Sequence, residues 1–596
     1  MRDRVRIGNA HAFWGDRSDA ALEILTREPD LDFLTLDYLA EVSMSILAMQ
    51  RERDPARGYA RDFVDLVRSL APYWAAGGRC RLIANAGGLT PAACAADCAR
   101  VLAEAGCRRL KIAVVSGDDV LDLVRASRSA ADGNTFENLD TGEPISRVAD
   151  RLVTANAYLG AAPIAQALHQ GADIVITGRV ADPSLTVAPC LHHFGWTDQD
   201  WSRIAGATVA GHLIECGTQV TGGLWTDWLE IPDPANIGFP IVEIASDGSC
   251  VVTKPGGTGG CVNEWTVKEQ LVYEIGDPGR YVSPDVLVSF LSLTVEEIAR
   301  DRVRVSGAVG QPPPPTLKVS ATYRDGFRAA GTLTVFGRDA VAKAQRSGDV
   351  ILQRLRGAGH VYREALVECL AAGACGPAPL AGANAAQLVE TVLRIAVESD
   401  SRAAVEQFSR ELMSLITAGP PGTTGYAEGR PRVHPVFRYW PCLIDRARVA
   451  PRLEWIETAE VTAVSSADTP QIESARRVSP PAPGRSPERT RAAGAGTLHD
   501  WAYARSGDKG TNANIGVIAR RRADYPFLAK WLTVERVREY FRSMGVEAVD
   551  RYELPNLQGL NFVVHGILRS GLRTDAQGKA LAQALLEMPV PDVTTD

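Results

Sequence analysis

Carboxylates, amides and one arginine recur just after short apolar runs in the first 260 residues, and these residue types suit acid/base work on a carbonyl compound. His11, Asp16 and Arg17 follow Val5–Gly8, offering a titratable base, a carboxylate and a bidentate anion clamp; an Asp16/Arg17 ion pair is the alternative use. Asp37, Tyr38 and Glu41 follow Asp32–Thr35. If a helix has begun there, Asp37 and Glu41 are i and i+4 on one face, while Asp37 could equally cap that helix. Asn85, Gly87 and Gly88 follow Cys80–Ala84, where glycine N–H groups can point at an oxyanion and Thr90 can cap the next helix. Asp118 and Asp119 follow Leu110–Val115. Ile174–Thr177 leads to Arg179, the best fixed cation for a carboxylate or phosphate, and to Asp182, with Asn156 and Tyr158 upstream; Arg179 and Asp182 could instead pair with each other.

Three further groups lie outside this series. His212 and Glu215 stand at i and i+3 of an Ala/Leu/Ile-rich helix, a spacing that serves a metal, a general acid/base pair or a semi-buried hydrogen bond. Lys254 precedes Gly256-Gly257-Thr258-Gly259-Gly260 and a helix beginning near Asn263. Backbone amides and the lysine there favour an anion, although the lysine precedes the glycines and the motif is therefore not a Walker A loop; a tight turn is the other reading. Ser506, Asp508 and Lys509 make an unusually charged turn between two apolar runs near the end, fit for a surface or interface or for a reverse turn held by an Asp/Lys pair.

For these residues to meet, one pattern must gather them. Apolar run, polar loop and Ala/Leu-rich helix repeat through the first half, which predicts parallel β/α units with ligands at the carboxyl ends of the strands. From Asp301 the runs alternate with polar residues, as in Arg302–Val305 and Leu317–Val319, predicting a mixed or antiparallel extension. Helices are expected over Val350–Leu370 and Ala385–Val397, and Val433–Trp440 closes the domain. Ser465–Gly496, rich in Pro, Ser and Arg, reads as a flexible linker. Beyond it, strands at Leu498–Arg505, Ala513–Arg520, Ala548–Leu554 and Leu560–Leu568, with helices at Val534–Ser543 and Ala576–Leu586, predict a two-layer α+β module. The division is thus a large α/β domain over 1–464, a linker over 465–496 and a small domain over 497–596.

A net charge of -7 without a basic stripe excludes nucleic acid as an expected partner. No apolar run reaches membrane-span length and the start shows no signal-peptide core, so a cytoplasmic protein is expected, with no membrane partner. The eleven cysteines hold no Cys-x-x-Cys pair; Cys94 and Cys98, one helical turn apart among alanines, read as reduced core thiols.

The motifs GDR (Gly15–Arg17), DYLAE (Asp37–Glu41), NAGGL (Asn85–Leu89), TGRVADPSL (Thr177–Leu185), AGHLIECG (Ala210–Gly217), KPGGTGG (Lys254–Gly260) and GPPGTTGY (Gly419–Tyr426) resemble the acyclic terpene utilization (AtuA) family. ARSGDKG (Ala504–Gly510), ANIGVIAR (Ala513–Arg520), YELPNL (Tyr552–Leu557) and LNFV (Leu560–Val563) resemble that family's ferredoxin-like appended domain. The first loop departs from the family's Gly-x-Gly-Ser-Gly-Phe: here it reads Gly8-Asn9-Ala10-His11-Ala12-Phe13, implying a retuned pocket. The resemblance implies acyl-CoA metabolism of branched or terpenoid acids. The reaction expected is hydration, dehydration or retro-aldol cleavage of a 3-hydroxyacyl thioester, by a homo-oligomer, with a divalent metal as an option. His11, Asp16, Asp37 and Asp118 would be the acid/base set, Arg179 and the Gly87/Gly88 amides the anion clamp, and Lys254 with Gly257, Thr258 and Gly259 the CoA phosphate site. The alternative is a noncatalytic binding or assembly protein for acyl-CoA enzymes, docking through its small module.

Overall fold

Strands of four to six residues with nearly every side chain apolar can be buried only with cover on both faces. Most of the first strands are of this kind: β2 (Phe33–Leu36), β3 (Arg81–Ala84), β4 (Ile112–Ser116) and, after β5 (Leu152–Ala157) has left for a second sheet, β6 (Ile174–Thr177), whereas β1 (Arg4–Asn9) alternates Arg4 and Arg6 with buried Val5 and Ile7. A computed structural model describes the chain except residues 1–2, 108, 127–135, 375, 381–384, 428, 457–495 and 592–596. In it these strands pair in parallel in the order β1-β2-β3-β6-β4. They form the centre of a ten-stranded sheet. β7 (Ile241–Ala245) and β8 (Cys250–Thr253) continue it antiparallel beyond β1, followed by Arg302–Ser306 and Thr294–Ala299, and Arg452–Ile456 pairs antiparallel with β4 at the other edge. The fold is therefore mixed α/β, with its antiparallel extension on both sides of a parallel centre.

The second sheet is built on one strand of 21 residues, Thr316–Phe336, paired with His434–Asp445, Glu390–Ser399, Thr423–Thr424 and β5. Two expected helices fail here. The helix Ala340–Gly357 ends before Glu364–Leu370, which is a strand, and Glu390–Ser399 is also a strand. In the latter, Thr391, Leu393, Ile395 and Val397 are buried at every second position, so a period of two governed and the alanines before it gave a false helical start.

The small domain is an antiparallel sheet in the order Ala502–Lys509, Asn512–Ala519, Gly559–Val564, Val549–Leu554. Its helices are Tyr525–Trp531, which sequence reading missed, Val534–Tyr540 and Leu581–Leu586. Leu498–Asp500 is a 3₁₀ turn, so the first strand starts at Ala502, and the last helix begins at Leu581 instead of Ala576. Gly496 pairs with Val590 and so belongs to this domain; the remaining linker positions, 465–495, lie outside the described residues.

The two domains share a polar, buried junction. Arg505 pairs with Glu269 at 3.0 Å, Asn514 Nδ2 donates to Val272 O at 2.7 Å, and Asn561 Nδ2 donates to Gly276 O at 2.7 Å. Gly516 admits this approach, since a Cβ there would collide with Val272. Trp225 and Trp265 stack on Tyr503. Cys94 and Cys98 are buried in the helix Pro91–Glu104, as the alanine context predicted. Among the described residues no helix is long and apolar enough to cross a membrane.

Candidate active site

The carboxyl ends of β2, β3, β4 and β6 bring Asp37, Asn85, Asp118 and Arg179 into one buried polar group. Asp37 Oδ1 accepts from Asn85 Nδ2 at 2.6 Å, and Asn85 Oδ1 accepts from Tyr38 N at 2.6 Å. Asp118 Oδ2 accepts from Asn156 Nδ2 and from Arg179 N, both at 2.8 Å. Gly178 makes the second bond possible, because any Cβ there would strike the Asp118 carboxylate. Arg179 Nη1 donates to Leu39 O at 2.6 Å and to Asp182 Oδ1 at 2.8 Å, and the guanidinium lies 4.2 Å over the Tyr158 ring. The Arg179–Asp182 pair thus forms, and the same guanidinium is the cation within the buried group.

Burial raises Asp37 well above the usual carboxylate range and Asp182 adds to this, while Arg179 and Asn85 pull the other way. Asp118 is pushed up to about 6 by burial, against the hydrogen bonds from Arg179 and Asn156. An acid raised in the folded state binds protons that the unfolded chain, near 3.9, does not. The Asp118 contribution to stability is therefore lost as pH rises from about 4 to about 6, on the order of 3 kcal/mol. Urea midpoints of Asp118→Asn should fall less over this range than those of the parent; equal slopes would refute the shift.

A second ring surrounds the first and reaches the small domain. Asn9 Nδ2 donates to Ile214 O at 2.5 Å and to Glu215 O at 3.1 Å, tying the end of β1 to Glu215. His212 Nδ1 lies 3.1 Å from Glu215 Oε1, the semi-buried hydrogen bond that the spacing allowed. Lys509 acts electrostatically on both His212 and Glu215. Gly507 of the same turn packs against Glu274 and Tyr273, so the charged turn of the small domain lies beside this ring. Ser506 is structural, its Oγ donating to Gly578 O at 2.7 Å and accepting from Ala582 N at 2.9 Å, whereas Asp508 is exposed. Sequence reading missed Glu274, Lys579 and Tyr281, whose ring centroid lies 5.4 Å from that of His212. Glu274 has a φ of 52°, a conformation that non-glycine residues seldom adopt; Asn514 Oδ1 fixes it by accepting from its N–H at 2.7 Å, and Lys579 stands 3.7 Å from its carboxylate.

Other expected residues are used differently. His11 is buried against Tyr38, ring centroids 4.6 Å apart; its Nδ1 donates to Ala10 O at 2.7 Å, and burial lowers its pKa so that it stays neutral. Asp16 closes its own loop by accepting from Ala12 N and Arg17 N, while the Arg17 side chain pairs with Asp19 and Glu23, so the Asp16/Arg17 ion pair does not form. The helix Glu41–Arg53 has Ala40 at its N-cap, so Asp37 neither caps it nor shares a helical face with Glu41. Gly87 N and Gly88 N donate to Thr177 O and Asn85 O, closing the turn instead of pointing into the site, and Thr90 sits at the N-cap of the next helix without a side-chain bond. Lys254 Nζ donates to Thr258 O at 2.9 Å and lies 3.6 Å from Asp301. Gly259 N donates to Asn236 O and Thr258 Oγ1 to Pro255 O, so the glycine loop is held shut by its own contacts; Gly257 takes a φ of 77° within it. Among the described residues no three of His, Cys, Asp and Glu gather closely enough to hold a metal ion.

A mixed α/β domain with a buried acid–arginine group at its strand ends, closed by an antiparallel α+β domain that brings lysines to the same place, defines the class of this protein. Its residues 5–455 match the family described as acyclic terpene utilisation family protein AtuA, and 496–591 match the AtuA ferredoxin-like domain. The chain belongs to the AtuA family, which associates it with terpene utilisation. No curated protein and no solved structure matches it.

Proposed function

We propose that the protein is an acid/base enzyme acting on a branched or 3-substituted acyl thioester, adding or removing water or cleaving a 3-hydroxyacyl chain. The observation that carries this reading is Asp118, a buried carboxyl with a pKa of about 6 that is held on one oxygen by Asn156 and Arg179, beside the Asp37–Arg179–Asp182 group. A base poised near working pH maximises proton transfer, and a fixed guanidinium suits the oxygen on which charge develops.

The test is consumption of a branched 3-hydroxyacyl-CoA by the full chain. Turnover should fall as pH drops through about 6, and Asp118→Asn should lower it by about 10²-fold or more. Binding of the thioester without turnover at any pH would favour the noncatalytic alternative. Lys254 is engaged within its own loop, so coenzyme A alone should still raise the melting temperature of Lys254→Met if the anion is bound elsewhere.

A further inference from the structure

Glu215 follows the helix Trp201–Ile214 at its carboxyl end, where the helix dipole is negative and a charged carboxylate is disfavoured. His212 lies one turn earlier, buried, with both ring nitrogens engaged: Nε2 is 3.1 Å from Gln270 O and Nδ1 is 3.1 Å from Glu215 Oε1. A carbonyl oxygen only accepts, so Nε2 carries hydrogen. In a neutral imidazole Nδ1 is then a bare lone pair, and an ionised Glu215 would place a second acceptor against it. The contact is a hydrogen bond only if a proton lies between the two atoms.

Lys509, Glu274, Asp182, Arg179 and the strand-end Asp37 face the pair. Burial holds His212 down to about 4, and the Lys509 ammonium opposes its protonation further while Glu274 favours it. Glu215 is raised well above its usual range by burial, and Asp182 and Glu274 add to this against Lys509 and Arg179. Both effects place the proton on the carboxyl group. Glu215 Oε2 is buried and has no hydrogen-bond partner among the described residues.

We propose that Glu215 is a proton donor of the strand-end site: a neutral carboxyl whose O–H is donated to His212 Nδ1 and whose other oxygen, Oε2, is left to a bound molecule. The role of donor rests on the acid/base reading above, but the location of the proton does not. Donation requires the carboxyl group to turn about its Cγ–Cδ bond, so that the O–H that faces His212 at rest faces the bound molecule; the Glu215 O–H bond then breaks and an O–H or C–H bond forms on the substrate. The carboxylate left behind is faced by Lys509, which comes from the small domain, and water returns the proton.

Two measurements on the full chain at neutral pH locate the proton. Infrared difference spectra of parent against Glu215→Gln should contain a protonated-carboxyl C=O band that only the parent has, and ¹⁵N-histidine spectra should show His212 with hydrogen on Nε2 alone. Glutamine keeps a donor toward Nδ1, so the variant preserves the contact. An imidazolium signal from His212, or no carboxyl band in the difference, overturns the proposal. Turnover of a branched 3-hydroxyacyl-CoA should fall about 10²-fold or more in Glu215→Gln, and parental turnover would overturn the donor role. If the spectra agree while neither parent nor variant consumes any acyl thioester, the proton assignment stands and it is the acyl-thioester reading that fails.

Discussion

Arg179→Ala should lower turnover of a branched acyl thioester by about 10²–10³-fold, the loss typical of one charge-stabilising donor in a closed site. The side chain is 3% exposed, and one guanidinium nitrogen serves both Leu39 O and Asp182 while the plane lies over Tyr158. Its removal also leaves Asp37 and Asp182 facing each other without the cation that moderates them, so Asp37 should hold its proton to still higher pH. Arg179→Lys should not restore the rate: an ammonium can replace Nη1 at Leu39 O and Asp182, but it has no plane to lie over Tyr158 and no second nitrogen to offer a developing charge. Comparing kcat for Arg179→Ala, Arg179→Lys and Asp182→Asn separates the roles. If Asp182→Asn matches Arg179→Ala, the ion pair matters more than the guanidinium; if Arg179→Ala keeps the parental rate, the anion-clamp role is lost.

Much of this geometry was legible from residue types, for a physical reason. A parallel strand buried on both faces has no room for polar residues along its length, so polar chemistry collects in the loops at its end, and Asp37, Asn85, Asp118 and Arg179 stand where apolar runs stop. What the loops do with their glycines was not legible. Gly87 and Gly88 spend their amides on Thr177 O and Asn85 O, and the lysine of the Lys254–Gly260 loop bonds its own backbone; a sequence cannot distinguish a turn that binds an anion from one that binds itself. Glu274 was invisible because it follows an ordinary helix, Glu264–Leu271, with no glycine to announce its left-handed backbone. Lys509 was visible as part of a charged turn, but its destination depends on how one domain docks on the other. That information lies in pairs such as Asn514 with Val272, 242 residues apart.

The docking itself should prove costly to break. Arg505 and Glu269 are 4% and 0% exposed, and Arg505 also donates to Gln219 Oε1 at 2.9 Å. Arg505→Ala would strand the Glu269 carboxyl with the Thr226 N–H at 3.2 Å, and breaking a buried pair from one side costs about 3–5 kcal/mol. Burial already raises Glu269 against the pull of Arg505; without the arginine its pKa must climb further. A carboxyl raised in the folded state loses stability as pH rises, so Arg505→Ala should be more destabilised at pH 8 than at pH 5, and Glu269→Gln in that background should recover part of the difference. Trp225 and Trp265, stacked near Tyr503 at this junction, report the loss by fluorescence during urea unfolding. Lys509 ends the strand that carries Arg505, so a loosened junction also withdraws the ammonium from His212 and Glu215. With Lys509 withdrawn, Glu215 should hold its proton more tightly, and the alkaline-limb pKa of turnover, which a proton donor sets, should move up. An Arg505→Ala chain with the parental urea midpoint and an unshifted pH profile would mean that the small domain is held by other contacts and that Lys509 stays in place without this pair.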